Sequence, residues 1–180
     1  MNTTARARLR AAGAIAAAIV LVGCNPAPEG LFNNSGGTQY DGSLLLQERQ
    51  TIADYDQAIA PIFDQVQTEL AALGVGQLTA VDTAQSYTCP SGGVFHYGPH
   101  LEGKAIDFYQ AAELGNQMLP SLGFIRVRGN AIDGNAGYWW SWADPLNGGD
   151  IQIIINQTDN TTTIGYVSGC RPSTRITTNR

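Results

Sequence analysis

The stretch DIQIIINQ, residues 150–157, constrains the fold more than any other part of the chain. Ile151, Ile153 and Ile155 point one way while Gln152 and Asn156 point the other, because successive side chains of a strand project to opposite faces. A strand of this kind belongs to a sheet with one face on a core and one face wet. Other pieces have the same character: LTAV, QSYTC and VFHYG upstream, then FIRVRG, GYWWSWADP and TTTIGYVSGC. They are rich in β-branched and aromatic residues and are separated by turn residues such as Pro90-Ser91-Gly92-Gly93, Leu146-Asn147-Gly148-Gly149 and Thr158-Asp159-Asn160-Thr161.

Two stretches have helical periodicity instead. Ile59, Ile62, Phe63, Val66, Leu70 and Leu73 recur at three and four, the spacing of one apolar helical face. Ser43 is the expected N-cap and Gly74 the expected C′ residue, and Pro61 predicts a break near Ala60. Asp54, Asp56, Asp64 and Glu69 read as the solvated face of this helix. A second helix is predicted from about Asp107, its cap, to Leu122, with Phe108, Ala112, Gly115, Leu119 and Leu122 in one stripe and Gly123 at its end. The order helix, β-hairpin, helix, β-meander predicts a two-layer α+β domain, with a mainly antiparallel sheet and both helices on one face.

The start of the chain gives an address. Arg6, Arg8 and Arg10 precede an uncharged run of 13 residues, 11–23, that closes on Leu21-Val22-Gly23-Cys24. Roughly 20 apolar residues are needed to span a bilayer, so the run is short for a span, while basic, apolar and small-residue regions in this order make a secretory signal peptide. The last four residues resemble the lipobox of bacterial lipoproteins, which implies that Cys24 is acylated and opens the mature chain. The expected organisation is a signal peptide over 1–23, a lipid-anchored flexible tether over 24–42 rich in Pro, Gly, Asn and Ser, a globular domain over 43–171 and a tail over 172–180. The expected location is extracytoplasmic, at the cell membrane.

Three of the ten Lys and Arg residues lie in the signal, which leaves seven against fifteen Asp and Glu. That acidic balance excludes a nucleic-acid partner and a polybasic grip on lipid, so contact with the membrane falls to the acyl chains. With Cys24 assigned to the anchor, Cys89 and Cys170 remain. In an exported chain with no metal-type spacing they are expected to form one structural disulfide, the alternative being two buried free thiols.

The globular part, about Ser43 to Arg171, resembles the small LppA-like lipoproteins of actinobacteria of the mycobacterial type. The resemblance rests on Leu21-Val22-Gly23-Cys24, the first amphipathic helix, Tyr87-Thr88-Cys89, Phe95-His96-Tyr97-Gly98-Pro99, Leu122-Gly123-Phe124 and Gly169-Cys170-Arg171. It implies an envelope association, supports the fold and the Cys89–Cys170 pairing, and carries over no catalytic residue.

Chemistry-bearing residues are few. His96, His100 and Glu102 form H-Y-G-P-H-L-E, yet on an extended strand the two histidines stand ~13 Å apart, and no metal or other cofactor is expected. Ser86, Ser91, Ser121, Ser141 and Ser168 lie outside any G-x-S-x-G elbow, and Asp144 and Asp150 read as hairpin punctuation. The most unusual feature is Tyr138-Trp139-Trp140-Ser141-Trp142, which holds all three tryptophans. Tyr138, Trp140 and Trp142 share one face and are the candidate binding face if that face is open; otherwise only Trp139 remains for a ligand. The function expected is a lipid-anchored envelope binding or interaction domain whose partner is an envelope protein, a glycan or a lipid. The alternatives are a hydrolytic enzyme using His96 or His100 with a carboxylate such as Glu102 or Asp144, and a lipid or glycolipid carrier.

Replacing Cys24 by Ala is expected to abolish acylation, leaving the protein uncleaved or shed into the medium. Incorporation of labelled fatty acid into the Cys24→Ala protein would refute the lipobox assignment.

Overall fold

The computed structural model describes residues 41–90, 92–132 and 136–173. The signal peptide, Cys24, most of the tether and the tail from 174 lie outside the described residues, and among the described residues no helix is long and apolar enough to cross a membrane.

Helix α1, Ile52–Leu70, carries Tyr55, Ile59, Phe63, Val66 and Leu70 on its buried side. It starts eight residues later than Ser43 suggests, because Thr51 is the residue whose side chain accepts the orphan N–H of Asp54. No break occurs at Ala60. Pro61 removes one backbone bond, to the carbonyl of Gln57, but both residues are exposed, so water can take that carbonyl while Ile59 and Phe63 pin the helix to the core. Gly74 has φ 102° and ends the helical run as expected. Helix α2, Phe108–Met118, is capped by Asp107, whose carboxylate accepts from the N–H groups of Tyr109 and Gln110. A short 3-10 turn, Leu119–Leu122, follows and closes on left-handed Gly123.

The strands are β1 Thr79–Ala80, β2 Gln85–Thr88, β3 Val94–Tyr97, β4 Leu101–Lys104, β5 Ile125–Ile132, β6 Gly137–Ala143, β7 Asp150–Asn156 and β8 Thr161–Val167. They form one antiparallel sheet in the order β1-β4-β8-β7-β6-β5, with β3 pairing β8 at Tyr97–Val167 and β2 pairing β3. β3 and β4 thus run along β8 as one strand interrupted at 98–100, where the carbonyl of Tyr166 accepts from Gly98 and the Tyr166 ring fills the space a Cβ would need. β4 is an element the sequence pattern did not indicate.

Both helices cover the same face. Ile151, Ile153, Ile155, Ile164 and Trp142 meet the buried side of α1, with Ala111 and Leu119 from the second helical segment, in one cluster that fills the layer between helices and sheet. Burying an Ile side chain contributes ~1.5–3 kcal/mol, so the three isoleucines of β7 are a large part of what holds the layers together. At the other end, Cys89 and Cys170 are joined, with Cα atoms 6.0 Å apart, and pack with Phe95 and Val167. The bridge closes an 81-residue separation, a restriction on the unfolded chain of about 4 kcal/mol in the chain-entropy model.

The globular unit is slightly larger than 43–171. Asp41 pairs with Arg49 at 3.3 Å, Gly42 lies too close to Leu146 and Gly148 to carry a Cβ, and the carbonyl of Pro172 accepts from the N–H of Ile52.

Gly115 on α2 sits directly against the indole of Trp142. Gly115→Ala is expected to lower stability by about 1–3 kcal/mol through overpacking, despite the better helix propensity of Ala. Urea unfolding checks this, and an unchanged or raised midpoint would contradict the close approach.

Candidate functional site

The aromatic segment resolves into its two faces. Trp142 is 0% exposed, and its Nε1 donates to Asn116 on α2. Tyr138 stacks on Phe108 of α2 at 3.8 Å between centroids, and Trp140 lies parallel to Tyr138 at 6.5 Å. Tyr138, Trp140 and Trp142 therefore face the helices, and buried Trp142 cannot serve as a binding surface. The reason is register: Trp140 and Trp142 oppose Ile153 and Ile151, the residues that make the core. Trp139 is the aromatic of β6 left on the other face.

The histidines also divide. The imidazole of His96 reaches Asp56 of α1 at 3.0 Å on the helix side, so Asp56 is paired rather than simply solvated. The ring of His100 lies over Gly165 on the opposite face and meets Asp82 at 2.6 Å, and the same carboxylate accepts the backbone N–H of His100. Those bonds, the backbone one first, hold the Asp82 carboxyl below its ordinary pKa. His96, His100 and Glu102 thus form no cluster, and among the described residues no group of three metal-type side chains converges. Asp144 accepts from the N–H groups of Leu146 and Asn147, shaping the β6–β7 turn.

What the sheet does assemble is a polar row on the face away from the helices. The pairing Leu101–Ile164 sets His100 opposite Gly165; Gly165 pairs with Gln152, Gln152 with Ser141 and Ser141 with Arg128. These residues cross β8, β7, β6 and β5 in one line, with His100 at its end in the segment just before β4, ~19 Å long over four strand spacings. Beside the row, Asp150 is only 4% exposed. Its carboxylate accepts the hydroxyl of Ser141 and the amide of Gln152, the latter at 3.1 and 3.2 Å. Burial pushes the Asp150 carboxyl up to about 6, against the opposing pull of Ser141, Gln152 and, more distantly, Arg128. Ser141, Gln152 and Gly165 form a buried floor, and Arg128, Trp139, Thr163 and His100 are half-exposed around it. A carboxylate held in so dry a place away from the hydrophobic core is costly to fold, and perturbed carboxyls of this sort concentrate at functional sites.

Of this arrangement, sequence reasoning reached Ser141, Asp150 and His100 individually but not their grouping. Asp82, Gln152 and Arg128 were missed. Gln152 carried a signal, as the polar member of an alternating strand.

The class so defined is a two-layer α+β domain with helices on one side of an antiparallel sheet and a polar, aromatic-edged row on the other. No family model and no curated protein matches the chain. Among solved structures it is similar to the crystal structure of a DUF4853 family protein from Actinomyces odontolyticus ATCC 17982, at 19% identity and a TM-score of 0.62, with 76% of this chain and 75% of that one covered. The likeness establishes the fold. The neighbour is an actinobacterial protein of the DUF4853 family, and the likeness does not support the LppA-like resemblance.

The Asp150 carboxyl has a pH signature. Its pKa in the fold lies above the ordinary 3.8, so the penalty for holding it ionised is fully present above pH ~6 and is relieved as pH falls toward 3.8. Relative to Asp150→Asn, the wild-type protein is expected to gain up to ~3 kcal/mol of stability between pH 7 and pH 4. Urea unfolding of both proteins across that range checks it; a constant difference would mean that Asp150 titrates normally.

Proposed function

We propose that this chain is an exported, lipid-anchored protein of the cell envelope whose globular domain binds an extended saccharide along the polar row of the sheet. The observation that carries the reading is the row itself: Gly165, Gln152, Ser141 and Arg128 in register across four strands with His100 over Gly165 at its end, and Trp139 alongside. Directional hydrogen-bonding groups beside an aromatic ring suit a sugar, which offers hydroxyls at its rim and C–H groups on its face. The row is elongated, which suits a polymer better than a single ring. The signal-like N-terminus, the lipobox-like Leu21-Val22-Gly23-Cys24 and the resemblance to LppA-like lipoproteins support the envelope location. In the carrier alternative a lipid would occupy the layer between helices and sheet, where side chains of both are packed into one cluster.

The test is titration of the full-length protein in detergent micelles with neutral chito-oligosaccharides from disaccharide to hexasaccharide. Affinity is expected to rise with length, and Trp139→Ala to weaken binding by about tenfold, worth ~1.4 kcal/mol. Binding that ignores length, or that survives Trp139→Ala unchanged, would refute the reading. One observation favours hydrolysis as the second reading: His100, held by Asp82, shares the face with Asp150. Release of shorter sugars from the same oligosaccharides, lost in His100→Asn, would replace binding with catalysis.

A further inference from the structure

We propose that Arg128, stacked on Trp139, is an oxyanion subsite at the β5 end of this row, so that the saccharide it takes is an acidic one. The inference rests on the binding reading above and adds the charge of the ligand.

The first observation is a backbone irregularity. Arg126 and Arg128 stand two apart in β5, so simple alternation puts them on one face. The register shifts between them: Arg126 opposes Trp142, whereas Arg128 opposes Ser141. Arg126 is accordingly over Trp140 on the helix side, at 6.0 Å from the ring centroid, and Arg128 is over Trp139 on the other side, at 4.0 Å. Bulges often re-aim a side chain in this way. Here the bulge delivers one of the seven basic residues that follow residue 23 to the end of the polar row.

The second observation is what that guanidinium does not do. Arg128 is half-buried, and among the described residues its guanidinium makes no hydrogen bond or ion pair; its side-chain interactions are the contact over Trp139 and an attraction to Asp150. Asp150 is engaged by Ser141 and Gln152 instead. A guanidinium held 4.0 Å over an indole centroid without a hydrogen-bond partner of its own keeps an N–H fork to offer, and that fork matches the paired oxygens of a carboxylate or phosphate. Beside it the buried Nε1 of Trp139 has no acceptor among the described residues. A ligand supplying acceptors there gains a bidentate, charge-assisted contact, and the stack holds the arginine in place beforehand.

The shared ligand chemistry is an oxyanion on a sugar chain, and two sources fit it: a uronate carboxylate or a phosphodiester. The experiment uses full-length protein in micelles at low salt with four probes: oligogalacturonate, its fully methyl-esterified and therefore neutral form, a glycerol-phosphate polymer, and inorganic phosphate. The wild-type protein is expected to bind one of the two polymeric anions at least tenfold tighter than the neutral ester. Arg128→Gln removes that preference, Arg128→Lys keeps only part of it, and Arg126→Gln on the opposite face changes nothing. Preference for the uronate identifies the carboxylate source and preference for the glycerol-phosphate polymer the phosphodiester. Inorganic phosphate binding as tightly as either polymer would show a bare anion site and overturn the saccharide assignment. Equal binding of ester and uronate, with no gain for the phosphate polymer, would overturn the subsite and leave the saccharide reading standing; no binding of any carbohydrate here or in the chito-oligosaccharide series would overturn both. Matching unfolding midpoints for Arg128→Gln and Arg128→Lys would establish that a lost preference is not a lost fold.

Discussion

The fold depends on the two-sidedness of β7. Ile151, Ile153 and Ile155 meet α1 and its neighbours with essentially no exposure, and the intervening Asp150 and Gln152 face away from the helices in a hydrogen-bonded pair. A slip of one residue in this strand would drive a carboxylate and an amide into the apolar layer and expel the isoleucines. Register is therefore strongly set, and it propagates: Ile153 fixes Trp140 and Ile164 on its own face, and Gln152 fixes Ser141 and Gly165 on the other. The core and the polar row are consequences of one alternating strand.

This explains which parts of the molecule were legible in the sequence. Alternation in DIQIIINQ, the apolar stripe of α1 and the cap at Asp107 are local signals, and the structure follows them. So is the sharing of a face by Tyr138, Trp140 and Trp142, but which face is buried depends on the partner strand and cannot be read within β6. Ser43 and Thr51 are both competent caps; packing of Ile52 and Tyr55 decides for the later one. Pro61 is tolerated because the carbonyl it frees belongs to an exposed residue. The polar row was illegible because its members come from four strands and the segment before β4, and Arg128 joins it only through a bulge that breaks the ordinary count. The Asp82–His100 pair spans 18 residues of chain and forms because the carbonyl of His100 accepts the N–H of Val81, bringing the two segments side by side.

Two arginines, one buried and one half-buried, stitch the periphery to this centre. Arg171 is fully buried, donates to the carbonyls of Ser168 and Gly148 at 2.7 Å each, and lies 3.9 Å over the ring of Tyr55. Burial brings its pKa down to about 10, still well above neutrality, so the cation persists without a carboxylate in contact, stabilised by carbonyl dipoles and a π face. Arg49 donates to the carbonyls of Leu44, Gly42 and Cys170 and pairs with Asp41. Each guanidinium spends its rigid fork on backbone oxygens that no strand or helix satisfies, which is how irregular segments at 41–51 and 168–172 remain closely packed.

Arg49 also determines how the domain carries load. The described chain enters and leaves at one corner: the carboxylate of Asp41 accepts from the N–H of Cys170 at 3.2 Å, Ile52 reaches Pro172 at 3.1 Å, and Cys170 is covalently tied to Cys89. Tension arriving from upstream of Asp41 meets this clasp before it meets α1 or any ladder of the sheet. Tension between the two ends of the domain has almost no distance to act over. Mechanically the domain is a pendant hung from one corner rather than a link in series, so the chain on either side can be pulled taut while the polar row keeps its geometry.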